Sequence, residues 1–177
     1  MMEAPIIPFR YRVEFFEATD EDKSAIAGGS TGTTSSKALD LCGAAFSEVS
    51  GLEATMEPKV IRQGGAYDGE IQRPGQITYA TIILKRGMTS QDHMWKWWRL
   101  VADGKTAARL KAVLIHQDHE PDGKGGFKKV ERLRWEMKNA LPTKFKAATY
   151  SGTASDVGIE ELHFVHEGLS LHPGEAG

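Results

Sequence analysis

Between residues 108 and 138 the chain alternates apolar and charged side chains twice around one glycine-rich turn, and that pattern leaves little choice of fold. In the first run Leu110, Ala112 and Leu114 fall on one face and Arg109 and Lys111 on the other. In the second, Leu133, Trp135 and Met137 alternate with Arg132, Arg134, Glu136 and Lys138. A period of two is the period of a strand, and a one-residue slip would turn every apolar side chain into water. Pro121-Asp122-Gly123-Lys124-Gly125-Gly126 supplies the turn. The segment predicts an antiparallel hairpin with strands near 108–117 and 132–138, one face apolar and the other charged.

Other segments extend the sheet. Phe9, Tyr11, Val13 and Phe15 alternate with Arg10, Arg12 and Glu14, which predicts a strand over 9–16. Further strands are expected at 45–50, 56–63, 77–84, 144–149 and 158–166, with 66–76 as a loop and Lys85-Arg86-Gly87 ending the run before it. Ile77 to Leu84 is apolar on both faces and should be covered on both sides, by the helix, a second sheet or a neighbouring chain. One helix is predicted over about 90–102, capped by Thr89 or Ser90 and ended at Gly104, with Met94, Trp97, Trp98 and Val101 as its apolar stripe. Three tryptophans on one helix cannot all face one core. Trp95 is expected to cover a neighbouring strand or a partner subunit. Nineteen glycines in 177 residues fit a turn-rich β protein of one domain.

Composition and motifs exclude several classes. A net charge of -2 argues against a strongly basic nucleic-acid binder, and no apolar run reaches the roughly 18–20 residues of a membrane helix. The N-terminus lacks the basic and apolar regions of a secretory signal peptide. Cys42 is alone, so neither an internal disulfide nor a cysteine zinc site is expected. The histidines His93, His116, His119, His163, His166 and His172 are not spaced as metal ligands on one strand face, and Asp118-His119-Glu120-Pro121-Asp122 reads as a solvated hairpin tip. Gly28-Gly29-Ser30-Thr31-Gly32 matches the hydrolase pattern G-x-S-x-G, yet its flanks are polar loop instead of strand and helix, so a hydrolase using Ser30 is disfavoured. No convergent acid, base and nucleophile set is present, and no cofactor is expected.

The segments Phe46-Ser47-Glu48-Val49-Ser50-Gly51-Leu52, Gly64-Gly65, Pro74-Gly75, Ile83-Leu84-Lys85-Arg86-Gly87, the tryptophan-bearing helix, Ala140-Leu141-Pro142-Thr143-Lys144, Ile159-Glu160-Glu161-Leu162 and His166-Glu167-Gly168-Leu169 occur in this order. Together they resemble the tail tube protein family of contractile-tailed bacteriophages, which also supplies the inner tube of extracellular contractile injection systems and shares its fold with the type VI secretion protein Hcp. The resemblance covers nearly all of residues 9–170. It implies a single mainly β tail-tube-like domain over 1–177: two packed antiparallel sheets forming a sandwich or barrel with one flanking helix, and a short tail at about 170–177. It implies a structural protein, not an enzyme, whose hexameric rings stack into a hollow conduit for DNA or effectors without sequence-specific binding. Implied partners are further copies of the chain, the sheath, a baseplate adaptor, a tape-measure protein and a tail terminator, in a virion tail or injection particle assembled in the bacterial cytoplasm.

By the same resemblance, a loop over about 61–76 reaches towards the neighbouring ring, with Arg62, Gly64, Gly65, Tyr67 and Arg73 as candidates. Arg109, Lys111, Arg132, Arg134, Glu136 and Lys138 form candidate polar faces for the lumen or an interface, and Trp95 is a candidate inter-subunit contact. Residues 17–43 depart from the family as a long insertion. The same resemblance leaves open a baseplate-proximal adaptor ring and a secreted Hcp-like ring that carries effectors.

Overall fold

The computed structural model describes residues 8–17, 46–61, 70–105, 108–121, 126–153 and 156–174. The insertion expected at 17–43, with its Gly28–Gly32 motif, lies outside the described residues apart from Glu17. In chain order the strands are β1 (Tyr11–Glu17), β2 (Glu48–Ser50), β3 (Ala54–Met56), β4 (Lys59–Ile61), β5 (Ile71–Arg73), β6 (Ile77–Tyr79) and β7 (Ile82–Gly87). Helix α1 (His93–Ala102) follows, then β8 (Leu110–Pro121), β9 (Phe127–Lys146), β10 (Ile159–Val165) and β11 (Gly168–Pro173). The principal sheet has seven antiparallel strands in the order β1-β8-β9-β10-β7-β2, with β11 also on β9. β3 pairs with β6, and β4 with β5, as separate two-stranded ribbons.

The long strand β9 makes one path into two packed layers. Its first part pairs with β11 as far as Lys138 and with β8 as far as Ala140, and its last part, from Leu141, pairs with β10. Between them Asn139 takes φ 52, a left-handed conformation that asparagine tolerates better than most residues. The Asn139 Nδ2 donates to Glu167 Oε2 at 2.8 Å, and the Glu167 N–H donates to the Lys138 carbonyl at 2.9 Å. β9 and the β10–β11 pair therefore turn the same corner together. Further along, Pro142 cannot donate to the ladder, and the register shifts there between His163 and Phe164.

Several expected boundaries move for physical reasons. The expected strand 56–63 is broken by Pro58, and β3 ends at Met56 while β4 starts at Lys59. Residues 71–73, expected as loop, form β5 against β4, and Pro74-Gly75 interrupts that side at the same level. A Cβ on Gly75 would lie 1.8 Å from the Glu57 carbonyl oxygen, so only glycine fits there. The apolar run 77–84 is divided at Ala80–Thr81: Ile82 and Leu84 are fully buried, but Ile77 is 47% exposed and not covered as expected. Lys85-Arg86-Gly87 continues β7 instead of stopping it. The return strand of the hairpin and the strand expected at 144–149 are one strand, β9. Asp118–Pro121 extends β8 instead of forming a free tip, and Gly168–Pro173 pairs with β9 where a tail was expected to begin.

The core lies between the layers. Phe15, Trp97 and Phe164 form an aromatic cluster, with Phe15 edge-on to Trp97 at 5.3 Å and to Phe164 at 6.2 Å. Ile82, Leu84, Met94, Ala112, Met137, Ala140 and Leu162 complete it. Helix α1 covers this core with Met94 and Trp97, and the Trp97 Nε1–H donates to the Ala108 carbonyl at 2.9 Å. Trp98 and Val101 are only partly buried. The helix begins at His93, three residues inside the expected start, and its cap is Asp92, with no side-chain cap bond; Thr89 Oγ1 instead accepts the Gln91 N–H at 3.2 Å.

Candidate assembly surfaces

One face of the β1-β8-β9-β11 layer packs on the core and the other is charged. Register places Arg12, Ile115, Arg134 and His172 in one row across the charged face, and Glu14, Val113, Glu136 and Ser170 in the next. Val113 and Ile115 are buried, at 2% and 1% exposure, although they face away from the core. The flanking positions carry long charged side chains whose aliphatic stems can lie over them.

The charges on this face are paired. Arg12 meets Glu14 at 3.1 Å and Glu131 at 3.2 Å; Arg134 meets Glu131 at 2.6 Å; Lys111 meets Glu136 at 2.8 Å. The hydrogen bond to Glu131 holds the Arg134 guanidinium above its ordinary pKa. Toward the hairpin end Arg132 pairs with Glu120 and Asp118, and Arg10 with Asp118 at 3.3 Å. The His119 backbone N–H, then Arg132 and Arg10, pull the Asp118 carboxyl below the usual carboxylate range. Exposed and partly exposed pairs of this kind add little to stability. Their larger effect is to cancel the charge of the face locally.

Of the polar residues singled out in the sequence, Lys111, Arg134 and Glu136 share this face. Arg132 sits where a bulge shifts the β8–β9 register and serves the hairpin end. Arg109 precedes β8 and pairs with Glu167 at the corner of β9. Lys138 lies beside Gly168 at that same corner. Arg12, Glu14, Glu131 and His172 complete the network. The strand of Arg12 and Glu14 was legible and Glu131 lies one residue before an expected strand, but His172 falls where a tail was expected, and nothing in the sequence says that β1 and β11 flank the hairpin. Trp135 is only half-buried, lining an apolar cavity of about 240 Å³ with Tyr11, Val49, Leu52, Leu114 and His116.

The second surface is the arm formed by β3–β6 and β4–β5. Every described residue of Glu53–Ile61 and 70–78 is exposed except Gly75, so the arm stands off the body with both faces in water. Arg73 lies on it, exposed. Arg62, Gly64, Gly65 and Tyr67 fall outside the described residues. At its root Gly51 takes φ +90, and a Cβ there would lie 2.1 Å from the Thr81 carbonyl oxygen. Tyr79 rests on the buried His166 ring at 5.1 Å. A third surface is Trp95, 44% exposed, stacked on Trp98 at 5.1 Å and edge-on to Phe145 at 5.5 Å. It covers a neighbouring strand, β9, as one of its two expected roles. Among the described residues no group of histidine, cysteine and acidic side chains is placed to hold a metal, and no helix is long and apolar enough to cross a membrane.

The model of the T4-like virus tail tube protein gp19 family matches residues 8–170. The chain belongs to this tail tube family. It is a structural subunit of a tail tube. Among solved structures it resembles a chain of the anti-feeding prophage baseplate, at 16% identity and a TM-score of 0.70 over 97% of this chain and 98% of that one. It also resembles a chain of the sheath–tube complex of the PVC extracellular contractile injection system, at 16% identity and a TM-score of 0.67 over 97% and 93%. A chain of the anti-feeding prophage cap aligns at 14% identity and a TM-score of 0.68 over 98% and 94%. These likenesses show that the fold is shared. Among curated proteins no sequence matches it.

Proposed function

We propose that six tube subunits close into a ring and that rings stack into a hollow conduit, with the charged face of β1-β8-β9-β11 towards the lumen. The observation that carries this is the open sheet. Among the described residues its path ends on β1, paired only with β8, and on β2, paired only with β7. Unpaired edges template association, and ring closure removes them. The ion-paired face suits a lumen because it is hydrated yet charge-compensated, so passing DNA or effector protein meets no large potential of one sign. Arg73 and the neighbouring arm reach the next ring in this arrangement. A sheath surrounds the tube, an adaptor and a terminator close its ends, and a tape-measure protein sets its length. Head-to-tail stacking has no limit of its own. The role is non-enzymatic, and the particle assembles in the bacterial cytoplasm.

Negative-stain electron microscopy across a concentration series tests the reading. Six-fold rings and stacked tubes are the expected result. Rings that never stack would favour a baseplate-proximal adaptor, and monomers at every concentration overturn self-assembly.

A further inference from the structure

Exposed apolar side chains collect at two places that lie at opposite ends of β7. Of the fifteen large hydrophobic residues that are exposed among the described residues, five sit on the arm: Met56, Val60, Ile61, Ile71 and Ile77. Four more, Met88, Tyr150, Val157 and Ile159, form one patch. The arm runs through Ala80–Thr81 into the first residue of β7, and Met88 follows its last. Six strand residues, about 20 Å, separate the two.

The patch is contiguous. The Tyr150 hydroxyl contacts Met88 Sδ at 3.3 Å, the Met88 N–H donates to the Gly158 carbonyl at 2.8 Å, and Ile159 is in register with Gly87. Val157 Cγ1 lies 3.4 Å from where a Cβ on Gly87 would be. Tyr150 and Val157 are 78% and 73% exposed, so nothing described in the subunit covers them.

The arm is incomplete in a matching way. A lone two-stranded ribbon is marginal in water, and here the cross-strand pairs Met56–Ile77 and Ile61–Ile71 are both exposed. Lys59 faces Arg73 directly across the ribbon, and among the described residues neither meets a carboxylate. Like charges so placed repel each other. The patch carries the complementary group: Asp156, next to Val157, is exposed and has no ion-pair partner among the described residues.

We propose that the arm of one subunit seats its apolar side chains on the Met88–Tyr150–Val157–Ile159 patch of a second copy, with Lys59 and Arg73 towards Asp156. The proposal rests on the tube reading and names the seat that reading leaves open. A knob and a socket on non-overlapping parts of one chain make a heterologous contact, which repeats head-to-tail instead of closing on a pair.

The test uses the full chain in a Cys42→Ser background with Ile71→Cys and Val157→Cys. Both positions are exposed, so the fold is left intact. Under mild oxidation the double variant should give a ladder of disulfide-linked multimers on a non-reducing gel. A mixture of the two single variants should stop at the dimer, because each copy then offers one half of the contact. Disulfide geometry is narrow, so Tyr150→Asp with Val157→Asp gives the second readout: tubes should be lost while far-ultraviolet circular dichroism is unchanged. Tubes that form with no ladder and persist in the Asp variant overturn the seat and leave the tube reading standing. A wild-type chain that makes neither rings nor tubes overturns the tube reading, and the seat with it.

Discussion

Removing the charge of Glu160, whose side chain is 12% exposed, should strongly destabilise this subunit. Its partner Arg86 lies on the core-facing side of β7 and is 1% exposed. The guanidinium Nε donates to Glu160 Oε2 at 3.1 Å, and Nη2 donates to the Gln91 carbonyl at 2.9 Å, tying β7, β10 and the approach to α1 together. Nη1 has no partner among the described residues. Glu160 is thus the counter-charge of a cation that water cannot reach. Breaking such a pair from one side leaves a buried charge uncompensated and costs about 3–5 kcal/mol. At about 2–4 °C per kcal/mol for a chain of this size, Glu160→Gln should lower Tm by roughly 6–20 °C. The assay is thermal and urea unfolding of the unassembled subunit at low concentration. Arg86→Met should cost a similar amount, but Arg86→Met with Glu160→Leu should recover most of the loss, because the desolvation cost leaves with both ions. A Glu160→Gln protein within about 1 kcal/mol of wild type, or a double variant as unstable as the two single losses together, would refute the reasoning.

Three further outcomes are expected. Phe164→Ala, fully buried between Phe15 and Trp97, should cost about 3–5 kcal/mol in urea unfolding, and a loss under about 1 kcal/mol would mean the aromatic cluster is not tightly packed. Gly51→Ala should cost at least about 1–3 kcal/mol from the φ +90 conformation, with the clash on Thr81 added, and an unchanged urea midpoint would contradict the geometry at the arm root. Burial holds the His166 imidazole below its ordinary value of 6.5, so the unfolded chain takes up that proton first. Its contribution to stability is complete above pH 6.5 and is lost as the pH falls through the depressed folded value; His166→Gln should flatten that part of the stability–pH curve, and an identical slope in both proteins would show that His166 is not the group responsible.

Much of this protein is written locally. Alternation at 11–16, 110–117 and 132–138 determines strands because a period of two can bury only one face, and Met94, Trp97 and Val101 determine a helix with a single stripe towards the core. Charged residues on the outer faces of the hairpin, and the family segments in their order, are equally local. What remained undetermined depends on where the chain leaves the body and on neighbours remote in sequence. Whether Ile77 is buried is decided by Ala80–Thr81, where the chain leaves the body for the arm; an apolar run carries no mark of that departure. Arg86 looks like the end of a strand because a cation next to glycine belongs in water, and only Glu160, 74 residues later, makes its burial tolerable. Arg12, Glu131 and His172, which the sequence did not single out, join one network with the candidates Arg134 and Glu136 only because the sheet brings β1 and β11 beside the hairpin. The sequence by itself determined β1, the two hairpin strands, the helix and the polarity of their faces, since these follow from side-chain periodicity along one segment. Only the tertiary structure decided which faces are shared, which ends are uncovered and which charges are paired, because those are set by contacts between segments that no local pattern encodes.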